Sequence, residues 1–205
     1  MFYRPADGHG LPHDPFKALV TPRPIGWIST IDAQGRANLA PYSFFNGCGD
    51  APPLVMFSQS GRKSRPEAVK DSIANIRETG EFACNIVSQA LKDAMNISSG
   101  TYQPEVDEFE LAGLTKVPGK SISAPYVGES PAVLECRLVK IVEDLPSWHA
   151  HAFNIMVIGE VVGVHIDEAI LNDGRVDVLA YNPVARLGYM DYTTVTDVWE
   201  MHRPG

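Results

Sequence analysis

A chain of 205 residues can form one domain with a sizeable core, and 44% hydrophobic with 20% charged residues is an ordinary globular balance. The net charge of −8 argues against nucleic acid as a partner, because the densest basic cluster (Arg62, Lys63 and Arg65) suffices for one phosphate group only. Three widely spaced cysteines without a CxxC pair argue against a disulfide framework or a zinc site.

The sequence also contains no pattern that predicts a membrane protein or a secreted one. The first residues, MFYRPADGHG, lack the apolar stretch of a signal peptide. The longest apolar run, Ile155 to Val164, contains Glu160 and is too short to cross a bilayer. We therefore expect a cytoplasmic protein that does not bind a membrane.

The chain opens with a region rich in Pro, Gly and His and continues with short apolar runs separated by turn residues. This pattern predicts an extended arm over residues 1–24, with one helical turn at 14–19. A hairpin of two strands, 25–32 and 36–45, and a short third strand at 53–58 are predicted to follow. The segment Asp32 to Gly35 predicts the hairpin turn. Pro41 predicts that the second hairpin strand lies at a sheet edge or contains a bulge.

Val69, Ile73 and Ile76 recur at the spacing of a helix, for which Pro66 is a suitable first residue and Gly80 a suitable end. The residues that follow predict a buried strand at 81–87 and a further helix at 89–96. Residues 99–129 are predicted to be irregular, with one short helical segment at 108–111.

Two long strands are predicted next, at 132–142 and 155–166. The alternation of the first shifts at Val139 and Lys140, which predicts a bulge. The second is apolar on both faces, which predicts burial on both sides by a helix or a partner subunit. Residues 172–205 form a polar, aromatic-rich tail, of which 193–205 is the terminal part.

These elements predict a single domain over residues 1–205, mainly β with some α: an antiparallel barrel with a few packed helices. No GxGxxG follows a predicted strand and no GxxxxGK[ST] motif occurs, which argues against a Rossmann or P-loop nucleotide site.

Hydroxyl and amide side chains cluster with aromatic ones at the ends of the predicted hairpin strands: Ser29, Thr30, Asn38, Ser43 and Asn46, with Trp27, Tyr42, Phe44 and Phe45. Such a surface suits a ligand with a flat aromatic body and polar edges. The alternative is a buried hairpin with ordinary hydroxyls at its rim, and chemistry alone favours that alternative.

A second cluster, Lys70, Asp71 and Ser72, lies near a predicted helix N-terminus, where free amides and positive charge favour phosphate. Arg62 and Lys63 would add charge; the alternative is a solvated helix face. His149 and His151 fit an exposed pair better than a metal site, because no further ligands complete the set. Without a recognisable protein nucleophile, the chemistry is expected to come from a cofactor.

Eight segments occur in an order and spacing that resemble the flavin-reductase-like proteins with the FMN-binding split-barrel fold: PRPIGWIST, NLAPYSFFN, PPLVMFS, KDSIANIRETGEFACNIVS, DEFELAGLT, ESPAVLECRLV, VIGEVVGVHID and PVARLGYMDY. The resemblance extends from about residue 14 to residue 192. It implies a split β-barrel and a homodimer with FMN, or alternatively FAD, near the subunit interface.

The resemblance also implies which residues approach the flavin. The isoalloxazine would border Trp27, Ile28, Ser29 and Thr30. The ring edge and ribityl chain would contact Ala40, Pro41, Tyr42, Ser43 and Asn46. The phosphate would lie near Lys70, Asp71 and Ser72, where the charge of Arg62 and Lys63 would add to the site.

Two features depart from the family's pattern. Residues 64–69 and Lys70 are interposed between GRK and the DS pair, which weakens the carry-over of the phosphate site. Asn154 stands where some relatives place a histidine that contacts nicotinamide. On the nicotinamide side the candidates are Asn154, Arg186 and Tyr189.

The function expected from the resemblance is hydride transfer from NAD(P)H to a flavin, with a partner oxygenase or an electron-transfer protein as a possible recipient. Two alternatives stay open: a bound-FMN electron carrier without pyridine-nucleotide activity, and a barrel that binds no flavin.

Overall fold

A computed structural model describes residues 1–62, 71–103, 105–148 and 152–204, with the side chain of Arg62 left out. The α-helices of these ranges are α1 Phe16–Leu19, α2 Asp71–Thr79, α3 Lys92–Ile97, α4 Glu108–Leu111 and α5 Val178–Tyr181. The strands are β1 Arg23–Pro24, β2 Gly26–Ile31, β3 Ala37–Tyr42, β4 Phe45–Asp50, β5 Pro53–Arg62, β6 Glu81–Ile86, β7 Lys116–Val117, β8 Tyr126–Val127, β9 Ala132–Val142, β10 Ala152–Ile166, β11 Leu171–Asn172, β12 Arg175–Val176, β13 Val184–Arg186 and β14 Tyr192–Thr194.

Seven strands of the described chain form one antiparallel sheet in the order β3-β2-β6-β9-β10-β5-β4. Only Ser43 and Phe44 separate β3 from β4, yet these strands lie at opposite edges of the sheet. Three Cα steps span at most roughly 11 Å, so the sheet must curl until its edges approach each other. The ring of Tyr42 accordingly lies 4.7 Å from that of Phe57 on β5, centroid to centroid. The fold is a split antiparallel barrel with a few packed helices, as the sequence predicts.

The predicted hairpin is confirmed, and Pro41 lies on the edge strand β3. Its second strand ends at Tyr42 and not at Phe45, because the chain bends at Ser43 and Phe44 to cross the split. Strand β4 was not predicted, since Gly47 and Gly49 have low strand propensity. The strand predicted at 53–58 extends to residue 62.

Two apolar clusters lie on opposite faces of β2. Inside the barrel, Ile73 and Ile76 of α2 pack against Ile28, Phe57 and Phe82, all without exposed surface. On the other face Trp27 packs with Leu39, Met95 and Phe109, beneath α3 and α4. Strand β2 is therefore buried on both faces.

The predicted bulge is confirmed, because Lys140 pairs with Ile158 and Leu138 with Gly159, which leaves Val139 unpaired. The helical piece at 108–111 is also confirmed. In β10 only the face with Ile155 and Val157 is buried; the described chain leaves the opposite face partly open.

The region predicted as a tail contains short strands and α5, and β13 pairs with both β1 and β14 in a small second sheet. The sequence missed these pieces because each is only two to four residues long. None of the helices in the described ranges combines the length and apolar character that crossing a bilayer would require.

Candidate functional site

A cleft of about 450 Å³ opens on the outer face of β4, β5 and β10, and we call it the outer cleft. Along β5, alternate residues face opposite sides of the sheet, so Val55, Phe57 and Gln59 are buried while Met56, Ser58 and Ser60 line the cleft. The cleft is further lined by α1, the segment around Arg23, the bend at 43–44, and residues of β4, β10 and the loop before it: Phe16, Val20, Pro22, Arg23, Pro24, Ser43, Phe44, Phe45, Asn46, Leu145, Pro146 and Asn154.

The polar side chains of the outer cleft have few partners. No described residue hydrogen-bonds the side chain of Ser43, Asn46, Ser58 or Ser60. Asn154 donates from Nδ2 to the carbonyl oxygen of Pro146 at 2.8 Å. Hydroxyls and amides next to aromatic and apolar walls can bind a flat aromatic ligand through its face and its polar edges.

A second cleft of about 450 Å³ adjoins the first, and Arg23 and Ser43 line both. We call it the cationic cleft; it is lined by Pro12, His13, Asp14, Lys17, Arg23, Ser43, Arg186, Leu187 and Tyr189. The structure thus brings together five predicted site residues around two joined clefts: Ser43, Asn46, Asn154, Arg186 and Tyr189.

Arg23 ties the two walls of the cationic cleft together. It is buried, and its guanidinium donates to the carbonyl oxygens of Lys17 and Val20 at the end of α1 and to that of Leu187, the last at 2.7 Å. The ring of Phe44 lies 5.8 Å from the guanidinium carbon, within cation–π range. Arg23 therefore positions both α1 and the chain after β13.

The predicted residues at 27–30 lie away from both clefts. The side chains of Trp27, Ile28, Ser29 and Thr30 have no exposed surface. Trp27 donates from its indole nitrogen to Ser98 Oγ at 2.8 Å, and Thr30 Oγ1 accepts from Asn75 at 3.0 Å. Their contact with a flavin stays a prediction, and within this chain these side chains are engaged in the core.

Ala40, Pro41 and Tyr42 also do not line the outer cleft. Ala40 packs against the barrel core, and Tyr42 is buried there against Phe57. Burial raises the pKa of the Tyr42 hydroxyl, so it stays protonated. Only the part of the predicted 40–46 segment that follows the end of β3 faces the cleft.

The predicted phosphate site falls partly outside the described residues, since Lys63, Lys70 and the side chain of Arg62 belong to the undescribed part, as do His149 and His151. Ser72 is buried, and its hydroxyl donates to Asn38 Oδ1 at 2.7 Å. Asp71 lines a separate cavity of about 270 Å³ with Glu108, whose carboxylate accepts from the Leu39 amide at 3.1 Å.

Burial raises the pKa of two of the acidic groups that line this cavity, Asp71 and Glu108. For Asp71 the nearby Arg36 acts in the opposite direction. Two carboxylates beside the start of α2 oppose the binding of a phosphate there. Among the described residues that line the cavity the one basic side chain is Arg36, and it already pairs with Asp32 at 2.6 Å.

Sequence reasoning missed several residues that line the clefts: Lys17, Arg23, Met56, Ser58, Ser60 and Pro146. The alternation of Met56, Ser58 and Ser60 along a strand was a usable signal. Arg23 gave none, because an arginine between two prolines has no pattern that indicates a buried position.

Comparisons with known proteins show the family of the chain and agree with its fold. Residues 19–187 match the Flavin reductase like domain family. An uncharacterized protein of Aquifex aeolicus (strain VF5) is 40% identical over 171 residues, covering 83% of either chain. Nitrilotriacetate monooxygenase component B from Bacillus cereus has a similar structure, with a TM-score of 0.86 and 28% identity over 98% of both chains. The flavoredoxin of Desulfovibrio vulgaris (Miyazaki F) has a TM-score of 0.75 and 28% identity, over 89% of this chain and 91% of that one.

Proposed function

The chain belongs to the flavin reductase-like family, and we propose that it is an FMN-binding flavoprotein that transfers a hydride from NAD(P)H to the flavin. The observation that carries this proposal is the outer cleft, which is lined by aromatic and apolar side chains and by four polar ones without a side-chain hydrogen-bond partner in the described chain: Ser43, Asn46, Ser58 and Ser60. Its volume of about 450 Å³ lies within the range of small-molecule sites.

We assign the flavin ring to the outer cleft, with Phe44 and Met56 against its face and Ser43, Asn46 and Asn154 at its polar edge. FMN is preferred to FAD because the densest basic cluster of the sequence, Arg62, Lys63 and Arg65, suffices for a single phosphate group.

When bound, FMN supplies a centre that accepts a hydride and then releases electrons one or two at a time. The chain's own residues would hold and orient the reactants. Ser43 lies where the two clefts meet, so its hydroxyl can donate to a ring that gains negative charge on reduction. The walls formed by α1 and the chain after β13 would exclude water from that junction.

We also propose that this single domain, residues 1–205, acts as a cytoplasmic homodimer. Val164 and Ile166 at the end of β10 and Val139 of the neighbouring strand β9 are exposed apolar side chains. A partner subunit that covers them would contact β10, the strand that contributes Asn154 to the outer cleft. Sedimentation equilibrium tests the dimer: a monomer at micromolar concentration would contradict it.

The recipient of the electrons is proposed from the similar structures. The resemblance to a monooxygenase component B supports an oxygenase that takes reduced flavin. The resemblance to a flavoredoxin supports a second candidate, an electron carrier that keeps FMN and takes electrons from a protein donor.

The test is the absorbance spectrum of the purified protein before and after adding FMN, followed by anaerobic addition of NADH and then NADPH. A flavin spectrum that either donor bleaches supports the reductase. A bound flavin that neither donor bleaches contradicts the reductase and favours the carrier. Unchanged FMN fluorescence on mixing, with no flavin in the protein, contradicts both.

A further inference from the structure

The cationic cleft concentrates positive charge in a protein whose net charge is −8. Lys17, Arg23 and Arg186 line it, and Asp14 is the one carboxylate that lines it among the described residues. None of the three cations forms an ion pair with any described residue. A concave surface with one sign of charge focuses the field and attracts the opposite charge.

Two of these cations are held directly opposite each other. Arg23 of β1 and Arg186 of β13 are Cα partners in the antiparallel register, and both line the cationic cleft. Like charges directly opposite on neighbouring strands destabilise a sheet. Burial, and to a smaller extent the charge of Arg186, lower the pKa of Arg23, although arginine stays protonated in proteins. An anion between these two groups would remove the repulsion.

Arg186 is already held in place. Its guanidinium lies 4.3 Å from the centre of the Tyr192 ring and donates to the Tyr192 hydroxyl and to the carbonyl oxygen of Tyr189. Tyr189 has a φ of +56°, which is uncommon for a residue other than glycine and is concentrated at functional sites.

The turn that contains Tyr189 packs tightly against α1. A Cβ on Gly188 would lie 2.4 Å from the Cβ of Ala18, so only glycine permits this approach. The cleft is therefore a built, pre-organised feature of the fold, and little conformational entropy is lost when a ligand binds it.

We propose that the cationic cleft binds phosphate, and that this phosphate is the pyrophosphate of the reduced pyridine dinucleotide. The inference rests on the proposed function, because it places the hydride donor next to the flavin in the outer cleft. The two clefts meet at Ser43, so one extended ligand can have its anionic part between Lys17 and Arg186 while its dihydronicotinamide reaches the flavin.

The test compares two hydride donors, NADH and N-benzyl dihydronicotinamide, which carries no phosphate. Lys17→Gln and Arg186→Gln are made in the full-length protein, with Arg175→Gln as the charge-matched control on the separate β11–β12 hairpin. We expect KM for NADH to rise about tenfold in each cleft variant with kcat within about twofold, since each removes one charge-assisted hydrogen bond. KM for the benzyl donor is expected to stay unchanged, as are all values for Arg175→Gln.

Inorganic pyrophosphate is expected to compete with NADH in the wild type and to compete more weakly in Arg186→Gln. Equal KM values for NADH in all variants, or an equal rise for both donors, would overturn the inference. If Arg186→Gln weakens FMN binding but leaves riboflavin binding unchanged, the phosphate belongs to the flavin and the inference is overturned as well. A wild type that binds no flavin, or that neither donor reduces, instead contradicts the proposed function.

Discussion

Two sets of hydroxyl and amide side chains can be compared in this chain, one inside the fold and one in the outer cleft. Ser29 has no exposed surface, and its hydroxyl accepts from Asn85 Nδ2 at 3.1 Å. Ser43, past the end of the same hairpin, has no hydrogen-bond partner in the described chain. Buried polar groups must be satisfied within the protein, whereas unsatisfied groups in an open cleft remain available to a ligand. The presence of a hydrogen-bond partner within the described chain, and not the residue type, distinguishes the interior set from the set in the outer cleft.

Asn85 is the centre of the interior set, and its loss is expected to have the largest effect. Its amide donates to the Trp27 carbonyl and Ser29 Oγ and accepts from the Val127 amide at 2.8 Å. Asn85→Leu leaves these buried groups unsatisfied, so we expect the free energy of unfolding to fall by about 4 kcal/mol. Urea denaturation measures this.

FMN affinity of the protein that remains folded is expected to equal that of the wild type. A Kd for FMN that rises sharply while stability stays high would place Asn85 and its partners in the flavin site, and would break the distinction between the two sets.

Glu135 is the charged member of the interior set. Its carboxylate has no exposed surface and accepts from the amides of Lys120 and Ser121 at 2.7 and 2.6 Å, and it lies 2.6 Å from His165 Nε2. Burial alone would raise the pKa of Glu135, but the bonds from His165 and the two amides outweigh it and hold the pKa below its ordinary value. Glu135→Gln is expected to lower stability at neutral pH by about 2 kcal/mol.

The sign of the pH effect follows from that lowered pKa. The folded state binds the proton more weakly than the unfolded chain, so the stabilisation by Glu135 is full above the ordinary value of about 4.5 and declines as pH falls through the lowered pKa. The free energies of unfolding of the wild type and Glu135→Gln, measured at successive pH values, should therefore converge in acid. A difference between them that stays constant at the lowest pH would contradict this.

The sequence predicts those features of the fold and the site that depend on local spacing. Strong periodicity predicted the hairpin, the strands at 81–87 and 132–142 and the bulge at Val139, because each depends on local spacing. The eight segments that resemble the family led to Ser43 and Asn46, which do line the outer cleft. Strand β4 was missed because its pairing with β5, and not its composition, makes it a strand.

The rest of the site depends on contacts distant in sequence. Trp27 to Thr30 look like a ligand surface in the sequence, and only the fold shows that Asn75, Asn85 and Ser98 engage their polar groups. Arg23 acquires its position from Leu187, 164 residues further along the chain. Such pairings have no local signal.

A large side chain in place of Ser43 tests the polar set that lines the outer cleft. We expect Ser43→Phe to fill the junction of the two clefts and to raise the Kd for FMN by tenfold or more, about 1.4 kcal/mol. Stability is expected to change by less than about 0.5 kcal/mol, because the wild-type hydroxyl has no hydrogen-bond partner among the described residues. Fluorescence titration with FMN measures the Kd.

Ser123→Phe, at an exposed serine distant from the clefts in sequence, is the matched control and should leave the Kd unchanged. Equal FMN binding by Ser43→Phe and the wild type would count against the placement of the flavin in the outer cleft.

The smallest change is the sharpest, because the same atom is removed at both positions. Ser29→Ala deletes one satisfied buried hydroxyl, so we expect about 1 kcal/mol less stability and an unchanged Kd for FMN. Ser43→Ala deletes one hydroxyl that no described residue hydrogen-bonds, so we expect unchanged stability and a Kd for FMN about threefold higher. Urea denaturation and FMN titration of both variants give four values that must follow this crossed pattern.

If Ser29→Ala weakens FMN binding as much as Ser43→Ala does, the family's assignment of residues 27–30 to the flavin is correct and burial within one chain does not identify the site. If both variants lose only stability, Ser43 stabilises the bend that joins β3 to β4 across the split, and the flavin must contact other residues of the outer cleft.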